Sequence, residues 1–228
     1  AYMVPYAMHD LHQLLSEHEH DFSEWTSVHV HLDFRWATPD DVLKFILVYL
    51  AFEKYLFEYA GKERATNNFC LPLLDTHIAR PMHRLITLFE EPDHTIPYDI
   101  FQSILAGMLP AKYCSLNIIN LFPRNRKNEL EKGYGTIEFR HMKGNADVMH
   151  VSTWIKLLVS MQNYATLVEF DKLKQELLSL NTTSRYQMFA EDVFGKYWHT
   201  LLPPTLSWDM LGVSLRMIKN CFVETANF

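Results

Sequence analysis

Glycine is scarce in this chain, 7 residues in 228, and the 10 prolines are scattered. Such a composition argues against a loop-rich or repetitive protein, and the sequence shows no internal repeat or low-complexity segment. The P-loop pattern GxxxxGK[ST], the dinucleotide pattern GxGxxG and the nucleophile elbow GxSxG are all missing, which removes the commonest phosphate-loop, Rossmann and hydrolase signals. Cysteine is equally sparse. Cys70, Cys114 and Cys221 are far apart, odd in number and without a CxxC pair, so buried thiols in a reducing compartment are expected rather than a disulfide framework. Clean apolar runs are lacking as well: VLKFILVYLAFEKY is broken by Lys44 and Glu53, far short of the ~20 residues a spanning helix needs. AYMVPYAMHD has neither a basic n-region nor a cleavage site, so it is no signal peptide, and a cytoplasmic location is expected. A net charge of −6 disfavours a dedicated nucleic-acid binder but not a local phosphate site.

What is present is ample material for a core: 48% apolar and 14% aromatic residues. Met8, Leu11, Leu14 and Leu15 recur at helical spacing over 8–19. A helix with clear punctuation starts at TPDD, with Thr38 as N-cap, Pro39 in the first position and Asp40 and Asp41 in the first turn; it ends at Gly61. Further helices are expected over DTHIARPMHRLITLFEE, restarting around Pro81, over PYDIFQSILAGML, and over NADVMHVSTWIKLLVSMQNYATLVEF. The remainder is mostly helical, with Pro203 and Pro204 separating its last two helices. Strands are expected at TSVHVHLDF, KYCSLNIINLF and GTIEFRHM. The fold class is therefore α+β, with few strands backed by long helices.

Each strand carries a polar stripe. His29, His31 and Asp33 share one face of the first, Ser115 and Asn117 of the second, and Thr136, Glu138 and Arg140 of the third. One face in water would explain such alternation. Solvated strand faces, however, favour Lys, Thr and Glu, whereas these positions hold residue types that bind metals and phosphates. An imidazole and a carboxylate on neighbouring strands suit a divalent cation, and Arg140 beside Glu138 offers a planar charge for a phosphate. The spacing alone leaves an ordinary surface ion pair open. SEHEHD (16–21) reads as a solvated helix end, PRNRK (123–127) as a hairpin tip, and Cys114 should point into the core.

HVHLDF, a helix ending near ERATNN, KYCSLNI, GTIEFRHMKGNAD and WIKLLVSMQNYA occur in that order over residues 1–168. Together they resemble the amidoligase family of the glutamine synthetase-like carboxylate–amine ligase superfamily, common in bacterial viruses and mobile elements. The resemblance implies a glutamine synthetase/glutamate–cysteine ligase-like catalytic fold, an antiparallel sheet with a polar concave face. It implies ATP and Mg2+ (or Mn2+) as cofactors and amide formation through an acyl phosphate. His29 and Glu138 would hold the metal, and Arg140 would stabilise the transferring phosphoryl group. His31 and Arg64 would contact phosphate, Asn117 would line the nucleotide site, and Lys112 is a further candidate there. Amine and carboxylate substrates would be small molecules, peptides or proteins, chosen by 61–80 and 123–133. The resemblance also implies a host bacterium's cytoplasm, no nucleic acid and no membrane, and exposed aromatics are compatible with an oligomer or a partner protein.

The same resemblance sets the expected division: a catalytic domain over 1–168 and a helical extension over 169–228. Family members begin with a strand bearing two alternating glutamates, and this chain starts beyond it, so the first acidic strand is expected to be missing. Two other readings stand beside the ligase. One is a degenerate relative with a binding or structural role; the other is a metal-dependent hydrolase using His29, His31 and Asp33.

Overall fold

The computed structural model describes residues 10, 13–14, 17, 26–91, 96–106, 113–121, 134–202 and 207–223. The expected helix over 8–19 and the tracts at 16–21 and 123–127 lie largely or wholly outside them, as does Lys112. Three strands form one antiparallel sheet: β1 (Val30–Asp33), β2 (Leu116–Asn117) and β3 (Thr136–Phe139), in the order β1-β3-β2. In β1 the pleat buries Val30 and Leu32 and exposes His31 and Asp33, continuing to a buried Phe34 and an exposed His29.

The sheet is backed by α1 (Pro39–Ala60), which starts and stops where its punctuation dictates. Thr38 Oγ1 accepts from the Asp41 N–H while an Asp41 carboxylate oxygen accepts from the Thr38 N–H, a reciprocal capping box. Gly61 ends the helix at φ 131°, a backbone state that favours glycine. Phe45 lies edge-on to Phe34 and Phe139, with ring centroids 5.0 and 5.9 Å apart, and couples helix to sheet.

α1 is buried on nearly every side, as expected of a helix apolar all round. α4 (Val148–Leu167), capped by Asp147, packs along it with Trp154, Leu157, Leu158 and Met161 in the core. α2 (Ala79–Glu90) starts two residues before Pro81, which therefore sits in the first turn, where no internal N–H bond is lost. α3 (Tyr98–Ala106) follows.

Beyond residue 168 come α5 (Phe170–Leu178), α6 (Thr183–Phe194), the short α7 (Trp198–Leu201) and α8 (Trp208–Phe222). α8 packs against both α1 and α2. Phe189 and Phe194 of α6 close on Phe52 of α1, and the Tyr186 hydroxyl donates to the Ala51 carbonyl at 2.7 Å. These helices share one hydrophobic core with α1 and the sheet. Lys44, buried within α1, is satisfied by Asp40, Asp41 and the Val168 carbonyl at the end of α4. Among the described residues no helix is long and apolar enough to cross a membrane.

One strand differs from expectation. Among the described residues of KYCSLNIINLF, Leu116 and Asn117 alone pair with β3 in the ladder. Asn117 ends the strand itself, because its side-chain oxygen accepts from the Ile119 N–H at 3.0 Å and turns the chain into a 3-10 segment. Ser115 lies in a bend, outside the pleat. Its side chain goes under the sheet instead of sharing the polar face with Asn117, which corrects the alternation expected for this stretch.

Candidate active site

The outer face of the sheet converges on Glu138, which is 7% exposed. Its partners come from all three strand segments. His29 Nδ1–H donates to Oε1 at 2.8 Å, Asn117 Nδ2–H to Oε2 at 2.7 Å, and Arg140 Nη1–H to Oε1 at 3.3 Å. The His29 hydrogen bond, helped by Asn117 and the Arg140 charge, holds the Glu138 carboxyl down at about 2 against the opposing effect of burial. Glu138 is thus a carboxylate at neutral pH, surrounded by donors.

The neighbouring groups are fixed as well. Ser27 Oγ lies 2.9 Å from His29 Nε2; in the neutral ring whose Nδ1–H goes to Glu138, the hydroxyl is the donor to Nε2. His31, directly across from Glu138 in the ladder, places Nδ1 3.1 Å from Thr136 Oγ1. Arg140 Nε–H donates to the Phe69 carbonyl at 3.1 Å. Arg64 is only 4% exposed and donates from Nη2 to the Arg140 carbonyl at 3.1 Å, so it braces the backbone of the site arginine.

Of the positions singled out from sequence, His29, Asn117, Glu138 and Arg140 come together directly, His31 sits beside them, and Arg64 lies behind. Asp33 does not join: Arg35 clamps it with both Nε–H and Nη2–H, and this hydrogen bonding keeps its carboxyl at about 2. His29, His31 and Asp33 each face a different partner. Among the described residues no three His, Cys, Asp or Glu side chains gather as a metal site. Sequence reasoning missed Ser27, although it continues the i, i+2 face of His29. It also missed the Phe69 carbonyl, for which a sequence holds no signal.

His29 Nδ1 and Glu138 Oε1 are 2.8 Å apart with a proton between them, so the pair would hold a cation only once Nδ1 gives up that proton and both groups turn toward the ion. Mg2+ keeps waters and takes phosphate oxygens for its remaining positions, so it does not require three protein ligands. Arg140 adds a charge next to where such an anion would sit.

An imidazole, a carboxylate and an arginine converging on one sheet face suit an enzyme that handles anionic groups. The family model described as "Putative amidoligase enzyme" matches residues 7–162, more than half of the chain. The chain belongs to this amidoligase family, whose description is that of a ligase-type enzyme. Comparisons with curated proteins and with solved structures gave no match.

Proposed function

We propose that this protein is an ATP-dependent carboxylate–amine ligase. In this reading the sheet and its helices form a glutamine synthetase-like catalytic fold, and the outer face holds Mg2+–ATP. His29 and Glu138 would hold the cation, which supplies charge neutralisation on the phosphate oxygens when bound. Arg140 stabilises negative charge as the γ-phosphoryl passes to a substrate carboxylate. His31 and Asn117 orient the phosphate and the carboxylate of Glu138, with Lys112 a further candidate, and Arg64 acts through the Arg140 backbone. An amine then attacks the acyl phosphate, phosphate departs, the amine loses a proton and the amide remains. The observation that carries the reading is the convergence of His29, Asn117 and Arg140 on one ionised Glu138.

Thermal unfolding with and without Mg2+–ATP tests it. A ligand present at a hundredfold excess over its Kd stabilises the folded state by about 2.7 kcal/mol. The expected result is a shift that needs both components and is lost in Glu138→Ala. No shift in the wild-type protein would sink the ligase reading.

One observation favours a second reading. Ser27 Oγ, His29 Nε2/Nδ1 and Glu138 Oε1 stand in the order of a serine acyl-transfer triad, at 2.9 and 2.8 Å. In that reading Ser27 attacks an ester or amide carbonyl, its proton passes to His29 and on to the departing alcohol or amine as the C–O or C–N bond breaks, and water then releases the acyl group from Ser27. Covalent labelling of Ser27 by a fluorophosphonate, abolished in His29→Ala, would support it; an unlabelled Ser27 would exclude it.

A further inference from the structure

Directly beneath the site lies a second carboxylate, and nothing above gives it a role. Glu53 of α1 is fully buried and accepts four hydrogen bonds. Oε1 takes the Tyr49 hydroxyl at 2.6 Å, the Ser115 hydroxyl at 2.8 Å and the Leu73 N–H at 2.6 Å; Oε2 takes the Leu74 N–H at 2.8 Å. The Tyr49 oxygen also lies 2.7 Å from His141 Nε2. One carboxylate therefore ties α1 to the bend before β2, to the residue that follows Arg140, and to the 3-10 turn Leu73–Asp75.

These same segments hold Arg140. Its backbone N–H donates to the Ser115 carbonyl at 2.9 Å, and its Nε–H to Phe69 in the loop that leads into the Leu73 turn. That loop is registered on β2 by Leu71, whose N–H donates to the Tyr113 carbonyl and whose carbonyl accepts from the Ser115 N–H, both at 2.8 Å. The Phe69 carbonyl can orient the guanidinium only if this loop keeps its height relative to β2 and β3. Glu53 bonds to the loop turn and the β2 bend together.

We infer that Glu53 is a positioning residue for Arg140: its buried carboxylate sets the loop carrying Phe69 against β2 and β3, and thereby the direction of the guanidinium over Glu138. The inference rests on the reading of Arg140 as the phosphate-facing group. A glutamine at 53 keeps the shape but turns an amide NH2 toward hydroxyl and backbone donors, so at least one of the four bonds is lost.

The test compares Glu53→Gln and the milder Ser115→Ala with Phe189→Leu, a core substitution on the α6 side of α1 that lowers stability without touching this network. Two quantities are read well below each variant's Tm: the Nε–H resonance of Arg140 in 15N spectra at pH 6, and the Kd for Mg2+–ATP. The expected result is at least tenfold faster solvent exchange of the Arg140 Nε–H and at least tenfold weaker Mg2+–ATP binding in Glu53→Gln. Ser115→Ala should give smaller changes in the same direction, and Phe189→Leu none. An Arg140 resonance unchanged in both network variants, or changed equally in Phe189→Leu, overturns the inference. A wild-type protein that binds no Mg2+–ATP overturns the ligase reading instead, and the Arg140 resonance still decides the role of Glu53.

Discussion

The two sides of this small sheet carry the same kind of assembly in opposite surroundings. Outside, Glu138 is grouped with His29, Asn117 and Arg140; inside, Glu53 is grouped with Tyr49, His141 and Ser115. Outside, donors and a guanidinium hold the carboxyl at about 2. Inside, burial pushes Glu53 up against the pull of its four donors, and burial, aided by the Arg64 charge, pushes His141 down to about 3. A glutamate and a histidine are common to both, yet the outer pair gives a charged centre and the inner one a neutral imidazole locked to a strut. Burial, and the partners each side supplies, a guanidinium outside and a phenol inside, separate the two.

That contrast can be broken most forcefully from the inside. Glu53→Ala strips two backbone amides and two hydroxyls of their acceptor in a place water does not reach, and an expected loss of about 3–5 kcal/mol follows. Urea unfolding measures it; a loss under about 1 kcal/mol would mean that water or repacking fills the gap.

Acid should reveal the same asymmetry in two stages. The folded value of His141 lies near 3, below the ordinary 6.5, so between these values the unfolded chain binds a proton that the folded one refuses. The stability contributed by a neutral His141 is complete above pH 6.5, erodes as pH falls, and is gone below about 3. The slope approaches 1.4 kcal/mol per pH unit, or about 2 kcal/mol between pH 6.5 and 5. For Glu138, with a folded value near 2 against 4.5, the contribution is intact above pH 4.5 and lost toward 2. Stability curves of His141→Phe should therefore flatten between pH 6.5 and 5, while Glu138→Gln should lower the curve above pH 4.5 and remove slope only between 4.5 and 2. Coincident windows would show that the two assemblies titrate as one.

On the outer face the expected stability changes shrink. Glu138→Ala leaves His29 within reach of solvent but strips the buried Asn117 amide of its acceptor, so a loss of about 1–3 kcal/mol is expected in the same unfolding assay. At the far end of the scale, Arg35→Ala breaks a fully exposed pair with Asp33, and the expected Tm is indistinguishable from that of the wild type. A clear fall in Tm there would show that β1 depends on the pair.

Much of the outer assembly was readable from sequence because strand alternation is local. Once TSVHVHLDF and GTIEFRHM are strands, His29, Glu138 and Arg140 must face one way, and Thr38, Pro39 and Gly61 likewise mark the ends of α1 without tertiary help. The inner assembly was not readable. Lys44 and Glu53 register in the sequence only as interruptions of an apolar run, although a charge inside an all-apolar helix is itself a sign of a buried partner. Their partners, the Val168 carbonyl and the Leu73 and Leu74 amides, are backbone groups that any residue would supply. Ser115 was misplaced for a related reason: the Asn117 turn confines the strand to two residues, and alternation has no hold on the bend before it.

The seat of Lys44 also bears on the order in which this protein can be made. Its ammonium needs the Val168 carbonyl, and the Phe52 side of α1 needs α6. A ribosome releases α1 long before it releases either, at roughly 5–20 residues per second. Once β3 has emerged, and until they arrive, the central helix has a covered sheet side and an open far side. The stretch that matches the family, 7–162, ends before both partners. The wait is thus a period in which α1 offers bare aromatic surface to whatever is near, and α6 and α8 serve the nascent chain as its closing cover.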